Sequence, residues 1–144
     1  MTVEGFLSAE QEQQIIDAIR VAESSTSGEI RVHLEAHHGG ALEDRAHAVF
    51  HMLKMDNTRE RNGVLVYIAV QDHAFHIMGD SGIDAVVPDD FWDRIRDAMQ
   101  SHFKAGQYPE GIIRAIQATG GHLAQHFPWQ HDDINELDDS ISRG

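Results

Sequence analysis

The sequence predicts an α/β protein, a three-layer α/β/α sandwich with a small mixed sheet flanked by helices. Three observations predict it. Residues 64–70, Val-Leu-Val-Tyr-Ile-Ala-Val, are apolar at every position, as in a central strand covered on both faces. Helical and strand periodicities follow one another in the order α-β-α-β-β-α-α, and a β-α-β crossover sets the first two strands parallel. The turn Gln71-Asp72-His73 then leads into a short alternating segment, so the third strand returns antiparallel.

Each element has its own signal. Ser8 followed three residues later by Gln11 is a capping box, and Ile15, Ile16, Ile19 and Ala22 form the apolar stripe of the helix it opens. Residues 24–28 stop that helix. Ile30, Val32, Leu34 and Ala36 alternate with Arg31, His33 and Glu35, which reads as a strand with one buried face. A turn over 37–40 leads to a second helix over 42–55 with Val49 and Leu53 inward, and a polar connection over 56–62 follows. After the central strand, Phe75 and Ile77 alternate with His76 over 74–78. Residues 79–88 read as an irregular, glycine-punctuated loop. A third helix starts at Asp89, carries Phe91, Trp92, Ile95, Met99 and Phe103, and ends at Gly106. A fourth opens near Pro109 with Ile112, Ile113, Ile116, Leu123 and Phe127 inward. Its Gly120-Gly121 pair costs about 1 kcal/mol per glycine against Ala, which predicts close helix packing there. A single domain over 1–128 and an acidic, flexible tail over 129–144 complete the reading; residues 130–144 hold five acids against one Arg.

Composition narrows the function classes. The 144 residues suffice for one core and no second. Cysteine is absent, which excludes disulfides, thiolate metal sites and cysteine nucleophiles. The net charge of −13 repels nucleic acid and anionic membrane and favours cations or a basic protein partner. Eleven His residues bring that charge to −13 + 11 = −2 when all are protonated. The segment 1–8 has no basic region before an apolar run, and residues 64–70 fall far short of the roughly 20 needed to span a bilayer, so membrane insertion is not expected and a cytoplasmic location is.

The predicted topology also places the candidate site. The starts of the two parallel strands and the end of the antiparallel one lie at one edge, so Ser27-Gly28-Glu29, Arg61-Asn62-Gly63 and Gly79-Asp80-Ser81 converge, with Asp84, Asp89 and Asp90 close by. Clustered carboxylates raise one another's pKa or recruit a cation, and oxygen ligands suit Ca²⁺ or Mg²⁺. Asp80, Glu29, Asp84 and Asp89 are the candidate ligands. Asp80 leads because its backbone, between Gly79 and Gly82, can bend around an ion. Arg61 is the candidate phosphate holder. Structural roles stand beside these: Asp89 and Asp90 as helix caps, and Glu29 paired with Arg61 or Arg59. The opposite edge collects His37, His38, Asp72 and His73.

Other motifs carry less. Gly79-Asp80-Ser81-Gly82 matches the string around the nucleophile of trypsin-like proteases without the surroundings of a triad. His47/His51 and His122/His126 have zinc-compatible spacing but no HExxH, and read as exposed histidines. Neither a GxxxxGK[ST] loop nor a GxGxxG after a strand occurs, and position 82 is Gly where an aspartyl-phosphate Asp-x-Asp pair would need its second Asp.

The ordered set of segments resembles the TPM domain family. Thr26-Ser27-Gly28-Glu29-Ile30-Arg31-Val32 is similar to its first strand, and Arg61-Asn62-Gly63-Val64-Leu65-Val66-Tyr67-Ile68 to its second. Phe75 through Ile83, with Gly79-Asp80 and Gly82-Ile83, resembles the third strand and its loop. Phe91-Trp92, Met99, Phe103, Gly106, Gly111-Ile112 and Phe127-Pro128 complete a likeness over residues 8–128. It implies the same α/β sandwich. Plant members of this family are linked to acid phosphatase activity and some members bind Ca²⁺, so the resemblance implies a cation-binding domain with weak phosphomonoester hydrolysis. A non-enzymatic interaction or assembly module with an acidic surface is the alternative. The signal peptide, membrane helix and glycine-rich tail of many relatives are missing from the sequence, which points to a soluble, stand-alone domain.

Overall fold

The computed structural model describes residues 2–129 and 139–144. Four strands form one mixed sheet: β1 (Glu29–Glu35), β2 (Gly63–Ala69), β3 (Ala74–Gly79) and β4 (Ser142–Arg143), in spatial order β3-β2-β1-β4. β1 runs parallel to β2 and to β4, and β3 is antiparallel to β2. The helices are α1 (Ala9–Glu23), α2 (Leu42–Met52), α3 (Ser81–Asp84), α4 (Phe91–Lys104) and α5 (Tyr108–His126). One face of the sheet packs Ile30, Val32, Leu34, Val64, Val66 and Ile77 against Ile15 and Ile19 of α1, Ile95 and Met99 of α4, and Ile112 and Ile116 of α5. The other face packs Leu65, Tyr67 and Ala69 against Ala46, Val49 and Phe50 of α2. These are the three layers the sequence predicts, and every residue of β2 is buried between them.

Local signals in the sequence are matched by local contacts. The Ser8 hydroxyl accepts the Gln11 N–H at 3.1 Å, and the Ser8 N–H donates to Gln11 Oε1 at 2.9 Å. A methyl on Gly120 would stand 2.8 Å from Ala22 Cβ, so α1 and α5 approach at that glycine, whereas Gly121 faces open space. Gly106 ends α4 at φ +75°.

Three readings change. Residues 79–88 are not wholly irregular: Ser81–Asp84 is one helical turn, capped by Asp80. β1 is buried on both faces rather than one, because α2 and Tyr67 cover its polar side. The expected flexible tail does not extend to residues 139–144. Ile141 is buried in the core, Ser142 and Arg143 pair with His33 and Leu34, and Arg143 reaches Glu12 at 2.8 Å. The physical reason is the open edge of β1, whose backbone groups need partners. The rest of the expected tail, residues 130–138, lies outside the described residues.

The returning segment meets an acidic contact. Glu23 Oε2 accepts the Ile30 N–H at 2.8 Å, and the Glu23 carboxyl is hydrogen-bonded to Asp139. Burial, then the bond to Asp139, push Glu23 up to about 10, with the Glu29 carboxylate adding to the rise. A raised folded-state value means that stability is fully present below the unfolded value of 4.5 and is lost as pH rises toward 10. Glu23→Gln keeps an acceptor for Ile30 and a donor for Asp139 without a charge. Thermal melts are therefore expected to show the variant several degrees more stable at pH 8 and indistinguishable at pH 4. An equal difference at both pH values would contradict the assignment.

Candidate functional site

Chain routing delivers the predicted convergence. Glu29 pairs with Gly63, and the Asp80 N–H donates to the Gly63 carbonyl at 2.9 Å. Glu29, Gly63 and Asp80 thus lie in one row across three strands, which at about 4.8 Å per strand puts the outer two Cα atoms about 10 Å apart. The Glu29 N–H donates to the Asn62 carbonyl at 3.3 Å, and the Gly82 N–H to the Arg61 carbonyl at 2.9 Å. The glycines are there for contact. A methyl on Gly79 would stand 2.5 Å from the Trp92 ring, and one on Gly82 2.3 Å from the Glu60 carbonyl oxygen. The Gly-Asp-Ser-Gly string is accounted for by this packing.

The side chains converge less than the backbone. Glu29 is buried. Asp80 is half-buried; its Oδ1 accepts the Ser81 N–H at 2.7 Å, and its Oδ2 is buried with no hydrogen-bond partner among the described residues. Asp84 is exposed and accepts the Trp92 indole N–H at 2.9 Å. Asp89 is exposed in the turn before α4. Asp90 precedes the helix without a side-chain cap bond and pairs with Arg94 at 2.8 Å instead. Arg61 is exposed at φ +52°, where the left-handed backbone serves the turn into β2. Above Gly63, between the two outer members of the row, sits the Met55 carbonyl, 2.8 Å from where a Cβ would stand. Among the described residues no group of three or more His, Asp or Glu is arranged to hold a metal ion.

Ser27 and Asn62, named in the sequence only as parts of the converging segments, meet a residue that was not named, Glu60. The Ser27 hydroxyl donates to the Glu60 carboxylate, and Asn62 Nδ2 donates to Ser27 Oγ at 3.1 Å and to Glu60 Oε2 at 3.3 Å. Asn62 Oδ1 is buried with no hydrogen-bond partner among the described residues. The signal for Glu60 in the sequence was position: it lies in the loop entering β2, beside Arg61.

At the opposite edge, His37 Nδ1 lies 2.7 Å from Asp72 Oδ1, and the His38 N–H donates to Asp72 Oδ2 at 2.8 Å. The His37 bond, then that of His38, hold the Asp72 carboxyl below its ordinary value. Away from both edges, β1 and α2 enclose a charged network that sequence reading placed in solvent. Glu35 accepts from Arg45 Nε at 2.7 Å and Nη2 at 2.9 Å, from the Tyr67 hydroxyl, and from His33 Nε2 at 3.0 Å. His33 Nδ1 lies 3.0 Å from Ser142 Oγ, so β4 is tied into the same network.

The fold and edge define a class: a mixed four-strand sheet between helical layers, with acidic loops gathered at one end of the sheet. The model of the TPM domain matches residues 2–121, and the chain belongs to that family. It is similar to the BA42 protein from the psychrophilic bacterium Bizionia argentinensis, solved by NMR, with 55% identity, 99% of each chain covered and a TM-score of 0.91. It is also similar to the N-terminal domain of a P. gingivalis protein, with 27% identity, 88% of this chain and 84% of that one covered, and a TM-score of 0.70. The N-terminal domain of a Corynebacterium glutamicum protein shares the fold at 14% identity, with 81% and 74% covered and a TM-score of 0.65. No curated protein matches the chain. Among the described residues no helix is long and apolar enough to cross a membrane.

Proposed function

We propose that this TPM domain binds a divalent cation, Ca²⁺ or Mg²⁺, at the edge where β3 ends, with Asp80 as the principal ligand and Glu29, Asp84 and Asp89 as the further candidates. One observation supports the reading: the half-buried Asp80 carboxylate keeps an oxygen that no group among the described residues satisfies, a costly arrangement unless something bonds it. The Oδ1 of Asn62, the residue before Gly63, likewise has no hydrogen-bond partner among the described residues and supports it. Both atoms are hard oxygen donors of the kind these ions take. The carboxylates do not form a cage, which suits an ion that retains part of its water shell and binds weakly. A cation held by Asp80 would supply Lewis-acid polarisation of a phosphoryl oxygen, in keeping with weak phosphomonoester hydrolysis. The second reading, an acidic interaction module, draws on the net charge of −13; its basic partner would be lost at high salt.

The test is an amide NMR titration with each metal. The expected result is saturable shifts at Asn62, Asp80 and Ser81, lost in Asp80→Asn, which preserves helix capping while removing the charge. Absence of shifts over residues 79–90 at millimolar Ca²⁺ and Mg²⁺ would remove the proposal.

A further inference from the structure

At the end of the sheet away from Asp80 the chain encloses a cavity of about 300 Å³. Its walls come from Phe6 ahead of α1, the end of β2, the start of β3, the C-terminal end of α4 and the first residue of α5. The six residues of β3, at about 3.4 Å each, separate Ala74 on its lining from Asp80, so the two sites stand about 20 Å apart. Gly106, at φ +75°, turns the chain from α4 into α5 and sets Tyr108 beside Phe103, with ring centroids 5.2 Å apart. Phe75 meets Phe103 edge-on at 4.9 Å, and Phe6 meets Tyr108 at 5.0 Å. Four rings thus form one continuous aromatic wall. Phe75, Phe103 and Tyr108 are only half-buried, so the fold leaves part of that wall uncovered.

The polar groups on this cavity are few and unengaged. Lys104, Gln100, His73 and the Tyr108 hydroxyl line it, and none of these side chains has a hydrogen bond or ion pair among the described residues. Lys104 is the one lining residue with a permanent charge. Glu4, Asp72, Asp97 and Glu110 flank lining residues in the sequence, yet among the described residues no acid lines the cavity. Asp72 is turned to His37 and His38 instead. The net charge of −13 repels an anion mainly from beyond a Debye length, about 8 Å at physiological salt, where it is screened.

We propose that this cavity binds a small aromatic carboxylate, its ring against Phe75, Phe103 and Tyr108 and its carboxylate at Lys104, with Gln100 and His73 as further hydrogen-bond partners. An apolar concave wall with a few convergent polar groups is the usual build of a small-molecule site, and this volume sits at the small end of such sites, which suits a single ring. The ring stacks offset or edge-on against the wall, as aromatic pairs prefer. The lone ammonium selects a negative head group over a positive one. This binding needs neither a cation nor the Asp80 edge.

The experiment is an NMR titration of the full chain at pH 7 with benzoate, benzylamine and acetate as probes. Saturable amide shifts are expected with benzoate at Ala74, Phe75 and Lys104, together with contacts from its ring protons to the Phe75, Phe103 and Tyr108 rings. Benzylamine has the ring with the opposite charge, and acetate has the carboxylate without the ring, so neither should saturate these shifts. Lys104→Gln is expected to weaken benzoate about fivefold, the size of a partly hydrated ion pair, and Lys104→Arg to retain it. The chain's other lysine, Lys54, is exposed beyond α2, and Lys54→Gln should leave binding unchanged. Absence of saturable shifts with benzoate, equal binding of benzylamine, or benzoate binding that is the same in Lys104→Gln would overturn the proposal. Asp80→Asn leaves the benzoate titration intact, so this site and the cation site fail separately.

Discussion

Arg45→Met is expected to destabilise the fold by about 3 kcal/mol, a drop of about 10 °C in melting temperature for a chain of this length. Glu35 is 3% exposed, and its carboxylate lies among the buried Tyr67 and His33. Burial alone raises its pKa; the bonds from Arg45, Tyr67 and His33 outweigh that and bring it to about 2. Removing Arg45 takes away two of the bonds and the compensating charge and leaves a buried carboxylate with two neutral donors. Loss of one partner from such a pair costs about 3–5 kcal/mol, and the lower end applies because the Arg45 side chain is 33% exposed and partly hydrated. The pH profile separates this from a packing defect. A depressed folded-state pKa gives stability that is present above the unfolded value of 4.5 and lost as pH falls from there to about 2. The wild type should lose this contribution only across that window. In Arg45→Met the Glu35 carboxyl should titrate well above 2, so the stability gap between the two proteins narrows as pH falls through 4. Urea melts at pH 7 and pH 4, with the Glu35 carboxyl followed by NMR, check both statements. Adding Glu35→Gln to Arg45→Met should recover part of the loss, because it removes the stranded charge. A loss below about 0.5 kcal/mol at pH 7 would show that the network does not hold the fold.

That network marks where the sequence stops being legible. β2 reads directly because an uninterrupted apolar run has one physical interpretation, a strand buried twice over. The capping box at Ser8 and the hairpin after Val70 read for the same reason: each is a local signal with local partners. The polar face of β1 does not, since Arg31, His33 and Glu35 in alternation look like a solvated face, and what buries them is Arg45 on α2, Tyr67 on β2 and Ser142 at the far end of the chain. β4 is invisible in advance because two residues make no periodicity, and only Ile141 in an acidic stretch hints at burial. The candidate edge was legible as backbone, because parallel and antiparallel strand ends must meet where they do. Its side chains were not, because their fates are settled by neighbours that spacing does not reveal: Asp80 turns back on its own helix, Asp84 goes to Trp92, and the Met55 carbonyl fills the gap over Gly63.

Gly82→Ala is expected to cost about 2–3 kcal/mol, in a position where helix propensity alone would favour alanine. The added methyl would meet the Glu60 carbonyl oxygen at 2.3 Å and the Arg61 carbonyl oxygen at 2.6 Å. Both are backbone atoms, which cannot rotate away as a side chain can, so α3 or the loop entering β2 must move. Movement lengthens the 2.9 Å bond from the Gly82 N–H to the Arg61 carbonyl, the bond that fastens these two segments together. Asp80, two residues earlier, caps the same helical turn, so its hold on the Ser81 N–H is disturbed as well. The substitution should therefore lower stability and also shift the Asp80 and Ser81 amides, and it should weaken any cation bound through Asp80. Gly121→Ala is the internal control: a methyl there meets nothing within 4 Å, and in a helix interior the change should stabilise by about 0.5–1 kcal/mol. Denaturant melts of the two variants against the wild type are sufficient. Opposite signs are the expected outcome; a Gly82→Ala protein as stable as the wild type would mean that α3 is not seated on the Glu60–Arg61 backbone, and with it the close approach of the loops at the candidate edge would be lost.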